Sequence, residues 1–167
     1  RGFWRRGPED ATPYVDAVYS AHPGLLLLEL VESWPTHPDV SRWRDSVALY
    51  LDEYVTPMTR RNVYRIVPYG VFFGAPTPEH YRPLEGELTY RYFMPVRKQH
   101  WWLGTSSHLL GHAALFAQAA RVFGKQAWRE LAYRQLEWIM GANPFGTCLM
   151  TGEGMRNPYP HSRFLGL

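Results

Sequence analysis

A single cysteine, Cys148, stands among 167 residues, which excludes an internal disulfide and any zinc site built on several thiolates. Long apolar runs are absent. The most apolar stretch, Leu25-Leu26-Leu27-Leu28, is followed at once by Glu29 and Glu32. It is far shorter than the roughly 20 residues a membrane helix needs, and its place in the chain does not suit a signal peptide, so any export signal lies outside this sequence. Charge of one sign is not in large excess: 18 basic residues face 15 acidic ones, for a net charge of +3. The basic residues are scattered, and the one tight pair, Arg60-Arg61, follows an expected helix, where cations suit the helix dipole. Neither a nucleic-acid partner nor a membrane is indicated. No acidic cluster has the oxygen-ligand spacing of a calcium loop, and no cofactor motif is found. The chain opens on Arg1 rather than Met and closes on Arg163-Phe164-Leu165-Gly166-Leu167 without a periodic element, and is read as part of a longer protein.

What is present is apolar and aromatic. Hydrophobic residues make up 46% of the chain, aromatic ones 16% and charged ones 20%, enough for a packed core and too aromatic for a disordered segment. The length suits one domain, by the usual range of about 100–200 residues. Thr12-Pro13 is placed to open a short helix that His22-Pro23-Gly24 would end. Residues 25–34 are apolar nearly all round and read as a buried helix. Thr36 and Pro38 then suggest a capped start to an amphipathic helix whose inner face carries Val40, Trp43, Val47, Tyr50, Leu51, Tyr54 and Met58. Residues 62–74 read as irregular with extended pieces, and 75–100 as a long surface loop. Two clear helices follow, 105–123 and 125–140, closed by Gly124 and Gly141. Leu110, Phe116, Trp128 and Leu136 are expected to be buried between them in an antiparallel hairpin. Residues 142–167 are rich in Gly, Pro and Asn and show no period. The expected class is all-α, helical hairpins joined by long loops.

The most specific signal lies near the end. It comprises Gln135-Leu136-Glu137-Trp138-Ile139-Met140-Gly141, Asn143-Pro144, Thr151-Gly152-Glu153-Gly154 and Pro160-His161-Ser162-Arg163, with Trp102 and Gly104-Thr105-Ser106-Ser107 upstream. In order and spacing these phrases resemble the C-terminal part of the catalytic domain of glycoside hydrolase family 9, the cellulase-like six-hairpin glycosidases. The resemblance is strong over residues 100–165 and weak before them. It implies that residues 1–167 are the C-terminal part of a single (α/α)6 toroid. It further implies an inverting hydrolase of β-linked glycans, with an oligo- or polysaccharide as substrate and the rest of the parent chain as structural partner. An extracellular or periplasmic setting is favoured by the same resemblance. The family's catalytic base lies upstream and its acid downstream of the stretch represented here, so no catalytic carboxylate is assigned. The family's sugar-contacting His and Arg carry over to His161 and Arg163. One departure is clear: two adjacent histidines are common in the family, and here His161 is followed by Ser162.

Other residues admit a functional and a plainer reading. Trp101 and Trp102 sit at a loop–helix junction, where an aromatic face can stack on a sugar ring, although one of them could equally be core. Tyr159 and Asn157 could touch substrate or only shape their loop. His108 and His112 are spaced like two zinc ligands on a helix, but Leu109-Leu110-Gly111 between them lacks the glutamate of a metalloprotease motif, and no metal site is assigned. Asp16 is expected on a helix, solvated or paired, Glu153 at a variable position of its motif, and Cys148 as a small buried filler. A non-catalytic carbohydrate-binding scaffold and a polysaccharide lyase on the same toroid remain as alternative readings, since one fold hosts many chemistries.

Overall fold

The computed structural model describes residues 2–16, 18–75, 78–93 and 105–158. The chain is mostly helical. In order it forms α1 (His22–Ser33), α2 (Val40–Leu49), a π-helical turn (Tyr50–Val55), α3 (Thr56–Thr59), β1 (Gly70–Phe73), β2 (Arg82–Pro83), β3 (Leu88–Arg91), α4 (Thr105–Phe123) and α5 (Gln126–Ile139). No helix among the described residues is long and apolar enough to cross a membrane.

The N-terminal segment departs from expectation. The described residues among 13–21 do not form a helix. Pro13 bridges to Arg5, Arg6 N–H donates to Thr12 O, and Tyr14 N–H donates to Trp4 O, so residues 4–14 fold back on themselves as an arm. Asp16 is not on a helix: its Oδ1 accepts Val18 N–H and Tyr19 N–H and fixes the turn into α1. His22-Pro23-Gly24 starts α1 rather than ending a helix, with Pro23 in the first turn, where its missing N–H costs nothing. Gly24 lets α1 approach α4 closely: a Cβ at this position would meet the Leu115 methyls at 2.9 Å, and the leucine would have to shift.

α1 and α2 pack as a hairpin, and α4 packs on both α1 and α5. Asp39, not Thr36, precedes α2, and no side chain caps it. The π turn continues α2 into α3, so residues 40–59 run as one helical rod with an extra residue in its middle. The expected inner face holds: Val47, Tyr50, Leu51 and Met58 are buried, with Val40, Trp43 and Tyr54 half-buried. Ion pairs tie the layers at their edges, Glu32 to Arg121 and Lys125 to Asp52. Arg44 lays its guanidinium over the Phe123 ring at 4.6 Å.

Two further expectations are corrected. Residues 75–100 are not all loop, and the chain is not purely helical. β1, β3 and β2 form a small antiparallel sheet in that order, pairing Val71 with Tyr90 and Pro83 with Thr89. Its inner face, Val71, Leu88 and Tyr90, forms a second apolar cluster with Met58. The hairpin α4–α5 forms as expected, with Gly124 at φ +70° as its turn. Phe116 and Trp128 are fully buried, whereas Leu110 is 46% exposed and Leu136 36% exposed. The inward face of α4 is turned by about one position and carries His108, Leu109, His112, Leu115, Phe116 and Ala119 instead.

Candidate functional site

His161, Arg163, Tyr159, Trp101 and Trp102 lie outside the described residues. What is described is the frame from which their two segments depart, and it is built residue by residue from the motif at the end of α5. Gln135 is fully buried. Its Oε1 accepts Val67 N–H at 2.9 Å, and its Nε2 donates to Arg65 O at 3.0 Å and Leu131 O at 2.8 Å. One side chain thereby holds the irregular segment 65–67 against α5 and keeps Arg65 at φ +58°, a backbone conformation that non-glycine residues rarely adopt. The ring of Tyr64 meets Trp138 edge-on at 4.9 Å in the same seam.

α5 ends by a Schellman arrangement. Gly141 takes φ +116°, its N–H donates to Trp138 O, and Ala142 N–H donates to Glu137 O. Asn143 then acts as an internal clasp. It is buried, donates from Nδ2 to Trp138 O at 2.8 Å and Thr147 O at 2.7 Å, and accepts Phe145 N–H at 3.1 Å on Oδ1. Leu149 N–H returns to Ile139 O and Cys148 N–H to Arg156 O, so the loop folds back over the helix end. Cys148 is a buried free thiol in this fold. Asn157 shapes the following turn: its Oδ1 accepts Gly152 N–H and its Nδ2 donates to Gly154 O. Glu153 is exposed on that turn.

The other stretch departs nearby. Phe93, just before residues 94–104, places its ring 5.7 Å from Trp138, and Thr105 opens α4. The start of α4 and the end of α5 are neighbours in this hairpin. The described residues flanking Trp101-Trp102 and those preceding Tyr159 therefore share one end of the helical layer.

Beneath that end lies a buried polar cluster that periodicity alone did not mark as inward-facing. His112 Nδ1 lies 2.9 Å from His108 O, a carbonyl that can only accept, so this nitrogen carries the proton. Its Nε2 then accepts the Tyr50 hydroxyl at 2.9 Å. His108 donates from Nε2 to Pro68 O at 2.7 Å. Its buried Nδ1 makes no hydrogen bond of good geometry among the described residues, and the Asp16 backbone beside the ring opposes part of the effect of burial. The imidazoles are 4.4 Å apart, and Tyr69 lies 5.6 Å from the His108 ring. Burial lowers the pKa of both histidines, that of His112 strongly, and each favours the neutral ring. Burial likewise raises the Tyr50 phenol far above its usual range. The cluster links α4 to the π turn and to the segment before β1, and Trp4 of the N-terminal arm stacks on Tyr50 at 4.7 Å. The available signal was the apolar set that includes Leu115 and Ala119. Centring the face on those residues brings His108 and His112 inward. Among the described residues no group of three or more His, Cys, Asp or Glu side chains could hold a metal ion. No family model matches the chain, and no curated protein matches it in sequence.

Proposed function

We propose that this chain is the C-terminal part of an inverting glycoside hydrolase acting on β-linked glycans, with its hairpins forming part of an (α/α)6 toroid. The observation that carries the reading is the common end from which both candidate segments depart. Residues up to Phe93 and from Thr105 flank Trp101-Trp102, and the loop clasped by Asn143 and Asn157 leads to Tyr159, His161 and Arg163. A sugar needs stacking and hydroxyl contacts at once, and the described residues that lead to both segments share one region. Three described residues of the resembling phrase support the loop or the seam beneath it: Gln135 anchors, Gly141 turns and Asn143 clasps. The exposed apolar face of Leu110, Tyr133 and Leu136 suits the packing of a further hairpin of a toroid.

In this reading Trp101 or Trp102 stacks on a sugar ring. His161 and Arg163 hold hydroxyls by hydrogen bonds that strengthen as positive charge develops on the ring. Tyr159 borders the same surface. The two catalytic carboxylates belong to the remainder of the longer protein, separated by about 6.5–9.5 Å so that a water fits between one of them and the anomeric carbon. The test is to follow cellotetraose with the longer protein by proton NMR and read the anomer first released. The proposal expects the α-anomer, inverted from the β-linkage. Release of the β-anomer, an unsaturated sugar from a lyase, or binding without turnover would each overturn it.

A further inference from the structure

A cleft of about 390 Å³ lies between the N-terminal arm, the helical rod and the small sheet. Its volume falls at the lower end of the range for ligand clefts, about 300–1,000 Å³. The residues that line it lie apart in the sequence from Trp101, Trp102, His161 and Arg163. Three elements build it. Phe3 comes just before the arm and meets the Tyr54 ring edge-on at 6.3 Å. Tyr54 and Glu53 come from the π turn, a helix irregularity often found at functional sites. Leu84, Glu85 and Leu88 come from the turn and strand that close the sheet.

The chemistry of the cleft is divided. The floor is apolar, with Phe3, Tyr54, Met58 and Leu88. The rim carries Glu53, Glu85 and Arg61, all exposed, and none has a salt-bridge partner among the described residues. Arg61 lies 5.4 Å over the Tyr90 ring, which holds its guanidinium beside the cleft without neutralising it. An anion would meet two carboxylates here, and a cation would meet the guanidinium. A neutral ring with an apolar face and a belt of hydroxyls suits all of these groups. Its C–H face covers the aromatic and aliphatic floor, its hydroxyls donate to the two glutamates, and a ring or hydroxyl oxygen accepts from Arg61.

We propose that the cleft bounded by Phe3, Tyr54, Glu53, Glu85 and Arg61 is a second saccharide-binding site that takes a neutral pyranose unit. It extends the glycan reading to another place on the chain and is tested separately from turnover. The experiment maps backbone amide shifts of the 167-residue chain during titration with cellobiose. Sorbitol serves as a polyol without a flat apolar face, and benzylammonium chloride as an apolar cation. Cellobiose should give saturable shifts in residues 53–61 and 84–88, while sorbitol should not. Glu53→Gln and Glu85→Gln, both on exposed side chains, should each weaken cellobiose binding by about tenfold, the effect of turning a charge-assisted hydrogen bond into a neutral one. Phe3→Ala should weaken it as well, with circular dichroism checking that the fold persists. No saturable shift in these residues, an equal response to sorbitol, tighter binding of benzylammonium, or unchanged affinity in both glutamate variants would each overturn the proposal. A longer protein without glycosidase activity would not alter this binding, and failure to bind here would leave turnover through the 159–163 segment untouched.

Discussion

Gln135→Leu separates a hydrogen-bonding role from a packing role at the seam that supports the motif loop. Leucine is close to glutamine in volume, so little cavity is created. The hydrogen bonds are lost. Val67 is fully buried, and its N–H has Gln135 Oε1 as acceptor. An orphaned buried donor costs about 1–3 kcal/mol. Arg65 O belongs to a residue with an exposed side chain, so water can replace part of its lost partner. The fourth-residue carbonyl, Leu131 O, remains in the helix ladder and adds little. The expected loss is about 2–3 kcal/mol, read as a lower urea midpoint with an unchanged slope. Amide exchange should quicken at Val67 and its neighbours before it does so in α4. Gln135→Glu sharpens the test, because a carboxylate would face the Arg65 and Leu131 carbonyls with no proton to donate. Relative to wild type it should be weaker at pH 7 than at pH 5, where protonation restores one donor. A loss below about 0.5 kcal/mol for Gln135→Leu, with unchanged exchange at Val67, would refute the reasoning.

Acid should weaken the whole fold through His108 and His112. Both have folded pKa values below the ordinary 6.5, so above that pH they are neutral in both states and contribute no slope. As pH falls below 6.5 the unfolded chain takes up protons that the folded one refuses, and stability falls, by at most about 2 kcal/mol per histidine at pH 5. A double His108→Gln/His112→Gln variant that still folds should show a shallower decline of urea midpoint with acid, and an unchanged decline would contradict this. Asn143→Ala removes an acceptor for Phe145 N–H and a donor to two carbonyls. It should speed amide exchange and proteolysis within residues 141–158 while leaving α4 protected, whereas uniform loss of protection would show that the loop is not a separate unit.

The elements with one dominant period were legible in the sequence. α4 was expected at 105–123 and is found there, because its apolar set and Gly124 leave little choice. Which face points inward was less legible. Leu110 outranks His112 in hydrophobicity, but Tyr50 and a backbone carbonyl satisfy the imidazole, so tertiary partners decided the rotation. The small sheet was hidden for a related reason. β2 is two residues long and ends in Pro83, so it has no readable alternation and exists only by pairing with β3. At the N-terminus Thr12-Pro13 offered a helix start, yet Pro13 and Tyr14 pair back onto Arg5 and Trp4. Local capping signals compete there with aromatic burial against Tyr50, and burial wins. The loop after α5 was legible as a motif. What its glycine and asparagines do became clear only from the hydrogen bonds they make.

The central proposal is that the 159–163 segment grips a sugar at the bond being broken, and turnover by the proposed parent enzyme tests it most directly. His161→Ala and Arg163→Ala should each lower kcat/KM on a β-glucan oligosaccharide by about 2–4 kcal/mol in transition-state stabilisation, with thermal stability unchanged. Near-normal turnover in both variants, or a loss of stability in place of rate, would contradict the claim.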